Sequence, residues 1–536
     1  MTRPWKHESL LLAVVVGFSR FAFRSRWLYD LDSVNFALGI EQFSPQTHQP
    51  HPPGYFLYIC LARLMNLLVH DANLALVLVS IAASCAAITV IYRFALDWFG
   101  LIEARFASLV FFFSPLGWFQ GIVALTYSVE AFFSVSVAYL CWQINLGNLT
   151  RILPAAITLG ISAGVRPSSL MFLCPLYLYS LRKLPLRKKL VAAAMLVVTL
   201  LAWFIPMIIL SGGFHTYFEA LFTLWKSVPS KETIFNSSPA NTIARACVVL
   251  FIGLLICGGF PLILVDALRQ KNTVETQKTH FTLAWMAPAL CFYTLVFLKF
   301  VNSGYLLLLL PPASIWLGRW LASWYRYSPL SERTKQTLIA GCAALNTFIF
   351  LASPLYCSYR SVRQFEAQLQ EATAALQMAV SPDDTLIVGF DSHFLGYRHA
   401  GYYLPGYQTI EYPEVHFPGG PRIFSLENRR THLLSELPQG RYQRFVLFPL
   451  PLGDPDYVAY LAKVKQLLPE QSLEVRHIGH YDFVTGPITL LPLLFPATTQ
   501  TSKSAVYPPL HSGAGDVYTN VNTPPVDHFH ARSVSH

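Results

Sequence analysis

The sequence predicts a polytopic α-helical membrane protein with about eleven transmembrane helices and a small C-terminal α/β domain. Of the 536 residues, 54% are hydrophobic and only 13% are charged, and the mean hydropathy is +0.43. Soluble domains carry roughly 25% charged residues, so a chain this poor in charge does not cover a water-exposed surface. Its repeated apolar stretches of about 16–25 residues have the length of membrane-spanning helices.

The chain contains twelve candidate apolar segments. They lie near 9–23, 54–69, 74–97, 102–118, 125–145, 150–165, 168–181, 190–210, 242–265, 281–300, 305–322 and 336–356. The first has a basic head and an apolar body, as a signal peptide does, but no small-residue cleavage site follows it. We therefore expect an uncleaved first helix.

Basic residues beside membrane helices usually mark cytoplasmic loops, which gives the predicted segments an orientation. The strongest basic loops are 182–189, 269–278 and 319–335, and Arg3 and Lys6 add a fourth cluster. All four are expected on the cytoplasmic side. The net charge of +10 is spread over these loops and does not form one stripe, so a nucleic-acid partner is not expected.

The N-terminus and the basic loop 182–189 are both expected in the cytoplasm, so the chain must cross the membrane an even number of times between them. Seven segments precede that loop, so one of them does not cross, and 54–69 is the weakest candidate. At 1.5 Å per residue it reaches about 24 Å, short of a roughly 30 Å hydrocarbon core. It also carries Arg63, which costs about 2.5–3.5 kcal/mol at the bilayer centre. We expect this segment to lie flat at the interface, so that the first outer loop spans 24–73.

With this topology the N-terminus is cytoplasmic, and the C-terminal region is extracytoplasmic. We expect a transmembrane domain over 1–356, an outer α/β domain over 357–496 and a disordered tail over 497–536. Short strands are predicted at 384–391, 444–451 and 473–484, and a helix at 454–470. The nine cysteines form no CxxC pair and none follows Cys357, so the outer domain has no disulfide framework.

The first outer loop carries the densest polar chemistry between apolar segments. Asp30 and Asp32 follow the first helix, and 33–43 is predicted to form a short helix along the membrane surface. A carboxylate there faces the positive end of the helix dipole. Asp32 or Ser33 can also act simply as the N-cap, and capping and catalysis are compatible.

The stretch "HQPHPPGY" (48–55) stiffens the loop, because each proline fixes its own φ and restricts the residue before it. His48 and His51 can bind a phosphate or a hydroxyl, or only hydrogen-bond the loop. Together with the two aspartates they offer ligands for a divalent metal, but without regular ligand spacing. No metal site or cofactor is assigned, and a divalent metal stays possible.

The predicted topology brings further polar residues to the same side of the membrane. These are Tyr127, Glu130, Arg166, Lys299, Asn302 and Tyr305. Arg166 can alternatively snorkel to the interface. Together they predict an outer-leaflet site for a phosphate-bearing, lipid-anchored substrate and a hydroxyl nucleophile.

Over about 8–325 the chain resembles the GT-C membrane glycosyltransferases that use polyprenyl-phosphate sugars. It is most similar to protein O-mannosyltransferases and lipid A aminoarabinose transferases. The resemblance rests on Asp30 and Asp32 followed by "HQPHPPGYFLYI", with "GVRPSS" and "SGYLLLLLPP" as weaker later motifs. It implies a bacterial inner-membrane enzyme with Asp32 as catalytic base. Many relatives carry a second acid directly after the first, where this chain has Ser33; Asp30, two residues before Asp32, is the second candidate catalytic acid here.

The resemblance implies inverting sugar transfer from a polyprenyl-phosphate donor to a lipid, glycan or protein acceptor, within membrane lipids. Arg166, with Lys299 or Tyr305, would stabilise the leaving phosphate. A transporter or flippase is the alternative from another class. It should show inverted repeats or matching broken helices and midplane charges, which the sequence lacks. A ligase or polymerase using a lipid-diphosphate oligosaccharide and an inactive binding scaffold also remain open.

Overall fold

The computed structural model describes residues 4–227, 233, 238–262, 276–298, 302–355, 357–390, 395–412, 422–425, 430–433, 440–449 and 455–495. The helices before the C-terminal region are α1 (Pro4–Phe23), α2 (Leu31–Glu41), α3 (Phe56–Val69), α4 (Ala72–Trp98), α5 (Leu101–Phe112), α6 (Pro115–Gln120), α7 (Tyr127–Asn145), α8 (Ile152–Val165), α9 (Ser168–Leu181), α10 (Leu186–Leu210), α11 (Phe214–Ser227), α12 (Pro239–Cys257), α13 (Thr276–Leu295), α14 (Leu310–Tyr327) and α15 (Glu332–Ala352). The predicted tail lies outside the described residues.

Five helices in the described part of the chain are long and apolar enough to cross a membrane. They are α4, α10, α12, α15 and the continuous helix Ser303–Tyr327, which joins a 3-10 turn (Ser303–Leu309) to α14. Shorter apolar helices are Phe56–Val69, Leu149–Val165 and Ser168–Leu181. The mostly helical membrane fold is thus confirmed, whereas the number of about eleven crossings stays a prediction.

The predicted segment 102–118 is wrong as a single helix. It is broken into α5 and α6, because Ser114 leaves the helical conformation and its Oγ accepts a hydrogen bond from the Gly117 N–H at 3.1 Å. Pro115 then starts α6, since proline is well suited to the first helical position. The break leads into the buried turn 121–126 that precedes α7.

Helix α3 has 14 residues, about 21 Å of length, and exposes Leu61, Leu64 and Leu67 on one face. Arg63 of this helix has polar partners. The Arg63 Nε donates to the Ile40 carbonyl at 2.7 Å and Nη2 to the Gly39 carbonyl at 2.9 Å. A guanidinium therefore binds the last carbonyls of α2, where positive charge is favourable. The interfacial placement of α3 stays a prediction.

The C-terminal region contains helices α16 (Tyr359–Ala379), α17 (Tyr397–Tyr403), α18 (Pro455–Leu467) and α19 (Leu491–Leu494). Its strands are β1 (Thr385–Phe390), β2 (Gln408–Tyr412), β3 (Arg422–Ser425), β4 (Arg430–Leu433), β5 (Arg444–Leu447), β6 (Glu474–Ile478) and β7 (Tyr481–Pro487). They form one mixed sheet in the order β4-β3-β2-β1-β5-β7-β6.

The central strands β2, β1 and β5 are parallel, and the flanking pairs are antiparallel. Val388 and Val446 are fully buried, as expected of central strands. The strand predicted at 473–484 is instead a hairpin, because Gly479 adopts a φ of +61° and turns the chain between β6 and β7.

Candidate active site

Within the first loop (24–73), Asp30 is the N-cap of α2. Its Oδ1 accepts a hydrogen bond from the Asp32 backbone N–H at 2.8 Å, and α2 starts at Leu31. Asp32 therefore lies in the first turn and is not the cap, which corrects the helix predicted at 33–43. Residues 33–40 are buried, so α2 is packed within the protein, and its position along the membrane surface stays a prediction.

The proline-containing stretch folds back against α2. Ser44 and Gln49 exchange backbone hydrogen bonds of 2.6 and 2.9 Å around a 3-10 turn at Pro45–Thr47. His48 ends this turn with a φ of +55° and is buried. A Cβ added at Gly39 of α2 would lie 2.8 Å from the Pro50 Cδ, so only glycine permits this approach.

This fold brings His51 to Asp32. The His51 Nδ1 lies 3.3 Å from the Asp32 Oδ1, and the His51 Nε2 lies 3.2 Å from the Tyr55 hydroxyl. The side chain of Asp32 is 24% exposed, which leaves its carboxylate reachable from outside. Burial raises the pKa of Tyr55 to about 12, so this phenol keeps its proton at neutral pH.

Arg166 forms a second polar centre at the C-terminal end of α8, where it is buried. Its Nε lies 3.2 Å from Glu130 Oε2, and its Nη1 donates to the Thr126 hydroxyl at 2.8 Å. Ser169 donates to the other Glu130 oxygen at 3.1 Å. Nη2 has no hydrogen-bond partner among the described residues, so one edge of the guanidinium is left for a ligand.

Three tyrosine rings surround this guanidinium. Its central carbon lies 4.3 Å from the ring centroid of Tyr127, 5.4 Å from that of Tyr305 and 5.9 Å from that of Tyr55. Cation–π contacts of this kind hold a buried guanidinium and orient its plane. Tyr55 thus links the two centres, because it contacts both His51 and Arg166.

The turn before α14 brings Tyr305 into this cluster. The Asn302 side chain accepts a hydrogen bond from the Gly304 N–H at 3.1 Å and so caps the 3-10 turn. A Cβ at Gly304 would lie 2.1 Å from the Tyr127 ring, so glycine is required for this packing. Lys299 lies outside the described residues.

Electrostatic interactions join the two centres into one site. Asp32 interacts with Tyr55, Tyr127 and Tyr305, and Asp30 interacts with Tyr305. The structure therefore brings the predicted residues of the first loop, the α7 start, the α8 end and the α14 turn together. Tyr293 also belongs to the cluster, since its ring centroid lies 5.4 Å from that of Tyr305. Sequence reasoning did not single out four members of the cluster: Tyr55, Thr126, Ser169 and Tyr293. Tyr55 stands inside the quoted "HPPGY" stretch, and Thr126 directly precedes Tyr127.

Side chains of α16 hold the chain that enters the first loop. Glu366 Oε1 accepts hydrogen bonds from the Arg26 N–H at 2.6 Å and from the Ser25 hydroxyl at 3.1 Å. Arg363 forms an ion pair with Glu366 at 2.8 Å and donates to the Arg24 carbonyl at 2.7 Å. A carboxylate of the C-terminal region thus satisfies loop backbone groups that would otherwise be buried without partners.

Side chains of α17 hold two further points of the same loop. The Leu28 N–H donates to the Tyr403 hydroxyl at 2.8 Å, and its carbonyl lies 3.1 Å from the His399 Nε2. The fully buried Arg398 donates to the Thr47 carbonyl at 2.6 Å. The C-terminal region therefore fixes the loop before Asp32 and again between Asp32 and His51.

No group of three or more His, Cys, Asp or Glu side chains within the described residues could hold a metal ion. The four candidate ligands of the first loop do not come together in this way. The residues that are placed do not fit a divalent metal site, and we derive no step through one.

The fold and the site define a class of membrane protein. The chain has the GT-C fold predicted from its sequence, as comparison with solved structures confirms. The crystal structure of ArnT from Cupriavidus metallidurans bound to undecaprenyl phosphate matches with a TM-score of 0.55 and 14% identity, covering 91% of this chain and 99% of that chain. The apo structure of the same protein matches with a TM-score of 0.50 at 14% identity, covering 91% and 98%.

Residues 44–191 match the family model described as the N-terminal domain of protein O-mannosyl-transferase TMEM260. This segment contains His51, Glu130 and Arg166, whereas Asp30 and Asp32 precede it. A search of curated protein sequences found no match.

Proposed function

We propose that the protein is an integral-membrane glycosyltransferase that moves a sugar from a polyprenyl-phosphate donor to an acceptor on the extracytoplasmic side. One observation carries the proposal. In a GT-C fold, a partly exposed carboxylate paired with His51 lies beside a buried guanidinium that has one unpaired edge. A base and an anion-binding group on neighbouring elements are the two parts that such a transfer needs.

In the proposed mechanism Asp32 takes the proton from an acceptor hydroxyl or amine as that group attacks the anomeric carbon. The bond from this carbon to the phosphate oxygen breaks in the same step, which inverts the configuration. The phosphate leaves already ionised, so no acid is needed. His51, at 3.3 Å, orients the Asp32 carboxylate and is itself oriented by Tyr55.

Arg166 stabilises the charge that builds up on the departing phosphate. Nη1 donates to Thr126 and Nε lies 3.2 Å from Glu130, so the Nη2 edge would meet a phosphate oxygen. Tyr127 and Tyr305 keep the guanidinium plane in place through their rings. The bound undecaprenyl phosphate of the similar ArnT structure supports a lipid-phosphate donor.

The proposed topology has a cytoplasmic N-terminus and an extracytoplasmic C-terminal domain in a bacterial inner membrane. In that arrangement the transmembrane domain covers 1–356, and the outer domain covers 357–496. In this proposal the outer domain holds the first loop in place, and the contacts of Glu366 and Arg398 with the loop backbone are consistent with that role.

The test is Asp32→Asn, assayed in membranes with a panel of labelled polyprenyl-phosphate sugars and by product mass. Loss of the base should reduce transfer by about 10²–10⁴-fold. Asp71→Asn is the matched control, because Asp71 caps α4 on the same loop and asparagine caps equally well. Near-normal transfer by folded Asp32→Asn protein would contradict the mechanism.

A further inference from the structure

A groove of about 380 Å³ lies between α9 and α10, and none of its lining residues belongs to the proposed active site. Its walls are mainly apolar and include Leu178, Leu181 and Leu196, and Arg182 and Lys189 complete its lining. A volume of this size is within the range of about 300–1,000 Å³ that holds small ligands.

The groove opens beside side chains that face away from the protein. Leu178 and Leu190, which both line it, are 59% and 60% exposed. In a chain that spans a membrane, such leucines contact lipid tails. An acyl chain can therefore enter this groove from the bilayer without passing through water.

The polar part of the groove belongs to a strongly basic segment. Residues 182–189 carry five cations, and no acidic residue occurs between Glu130 and Glu219. None of the five forms an ion pair with a carboxylate in the described part of the chain. Lys189 donates to the Arg182 carbonyl at 3.1 Å, and Arg182 stacks on the Tyr179 ring at 3.6 Å.

The start of α10 adds to this excess of positive charge. Arg187, Lys188 and Lys189 lie in its first turn, where the helix dipole is itself positive, and no side chain caps this end. Cations at a helix N-terminus are unfavourable in the absence of an anion. A negatively charged group at the groove would offset both the side-chain charges and the dipole.

We propose that this groove binds an anionic phospholipid of the adjoining leaflet. Its phosphate would lie between Arg182 and Lys189, and one acyl chain would lie against the apolar wall. A free anion would use only the basic rim and leave that wall unfilled. Basic pockets between membrane helices bind anionic lipid headgroups in this way.

The basic residues of this loop could also serve only to orient the chain in the membrane, because cytoplasmic loops are rich in Lys and Arg. That explanation gives no special role to the two cations that line the groove. The test uses this difference. Purified full-length protein in detergent is titrated with phosphatidylglycerol or with phosphatidylcholine of the same acyl chains. Thermal unfolding reports the apparent affinity, and native mass spectrometry reports the lipids retained.

We expect a saturable rise of Tm with phosphatidylglycerol only. Arg182→Gln combined with Lys189→Gln should weaken this effect about 30-fold, since each cation near a lipid headgroup contributes about 1 kcal/mol. The control, Arg187→Gln combined with Lys188→Gln, removes the same charge outside the groove lining and should retain most of the effect. Ala193→Phe keeps every charge but fills the groove, and it should lose the lipid.

Equal losses in the two double variants would overturn the proposal in favour of diffuse charge attraction. Equal stabilisation by inorganic phosphate would assign the rim to a soluble anion, and equal stabilisation by phosphatidylcholine would remove the role of the cations. Retained binding in Ala193→Phe would contradict the acyl-chain site. None of these outcomes depends on sugar transfer.

Discussion

Asparagine at position 30 separates helix capping from chemistry in the first outer loop. The buried Asp30 carboxylate accepts the Asp32 N–H at 2.8 Å and so begins α2. The amide oxygen of asparagine accepts the same bond, and Asn and Asp are similar as N-caps. Asp30→Asn removes the interaction of its charge with the helix dipole, which contributes about 0.3–1 kcal/mol.

The other substitutions at these two positions should behave differently. Asp30→Ala removes the cap and should lower the free energy of unfolding by about 0.5–2 kcal/mol. Asp32→Asn keeps the cap bond, because that bond uses the Asp32 backbone, and should lose about 10²–10⁴-fold in transfer. Asp30→Asn should therefore retain most transfer and nearly all stability.

The assay is sugar transfer in membranes together with thermal unfolding of the purified variants. The reasoning would be refuted if Asp30→Asn protein unfolded like the wild type but lost as much transfer as Asp32→Asn. That result would give Asp30 a direct role in proton transfer or acceptor orientation. Loss of both stability and transfer in Asp30→Ala alone would support positioning through the cap.

Three further predictions concern the packing around the site. Gly304→Ala should displace the Tyr127 ring and lower transfer and Tm, measured against Gly341→Ala, whose added methyl group meets no atom within 4 Å. Glu366→Ala should speed hydrogen exchange at the backbone amides directly after α1, and Glu366→Gln should give an intermediate exchange rate. Unchanged exchange in Glu366→Ala would show that Glu366 does not hold this part of the loop. Arg63→Met removes two hydrogen bonds to the end of α2 and should lower the free energy of unfolding by at most about 1.5–3 kcal/mol for each bond. Thermal unfolding measures this loss, and an unchanged Tm would contradict the capping role of Arg63.

Local signals in the sequence account for much of the fold. Long apolar runs with basic loops between them predict membrane helices. The prediction works because residues in contact with lipid must be apolar, whereas the loops in water can carry charge. The short apolar run at 384–391 likewise predicts β1 as a buried strand. Where a prediction failed, as at Ser114, a single capping side chain ended a helix inside a continuous apolar run.

Part of the site also follows from the sequence, because topology alone places loop ends on one side of a membrane. It indicates that Asp32, His51 and Arg166 are on the same side. It does not indicate that Asp30, rather than Asp32, caps α2. Both residues have side chains suited to capping, and the helix start depends on how α2 packs.

Only the tertiary structure decides the pairings. The contact between Asp32 and His51 depends on the fold of the intervening turn, and the Arg166 and Glu130 pair depends on the packing of α7 against α8. Glu366 binds the Arg26 N–H across 340 residues of chain. Composition and periodicity report the surroundings of each residue, whereas such partners are selected by the packing of whole elements.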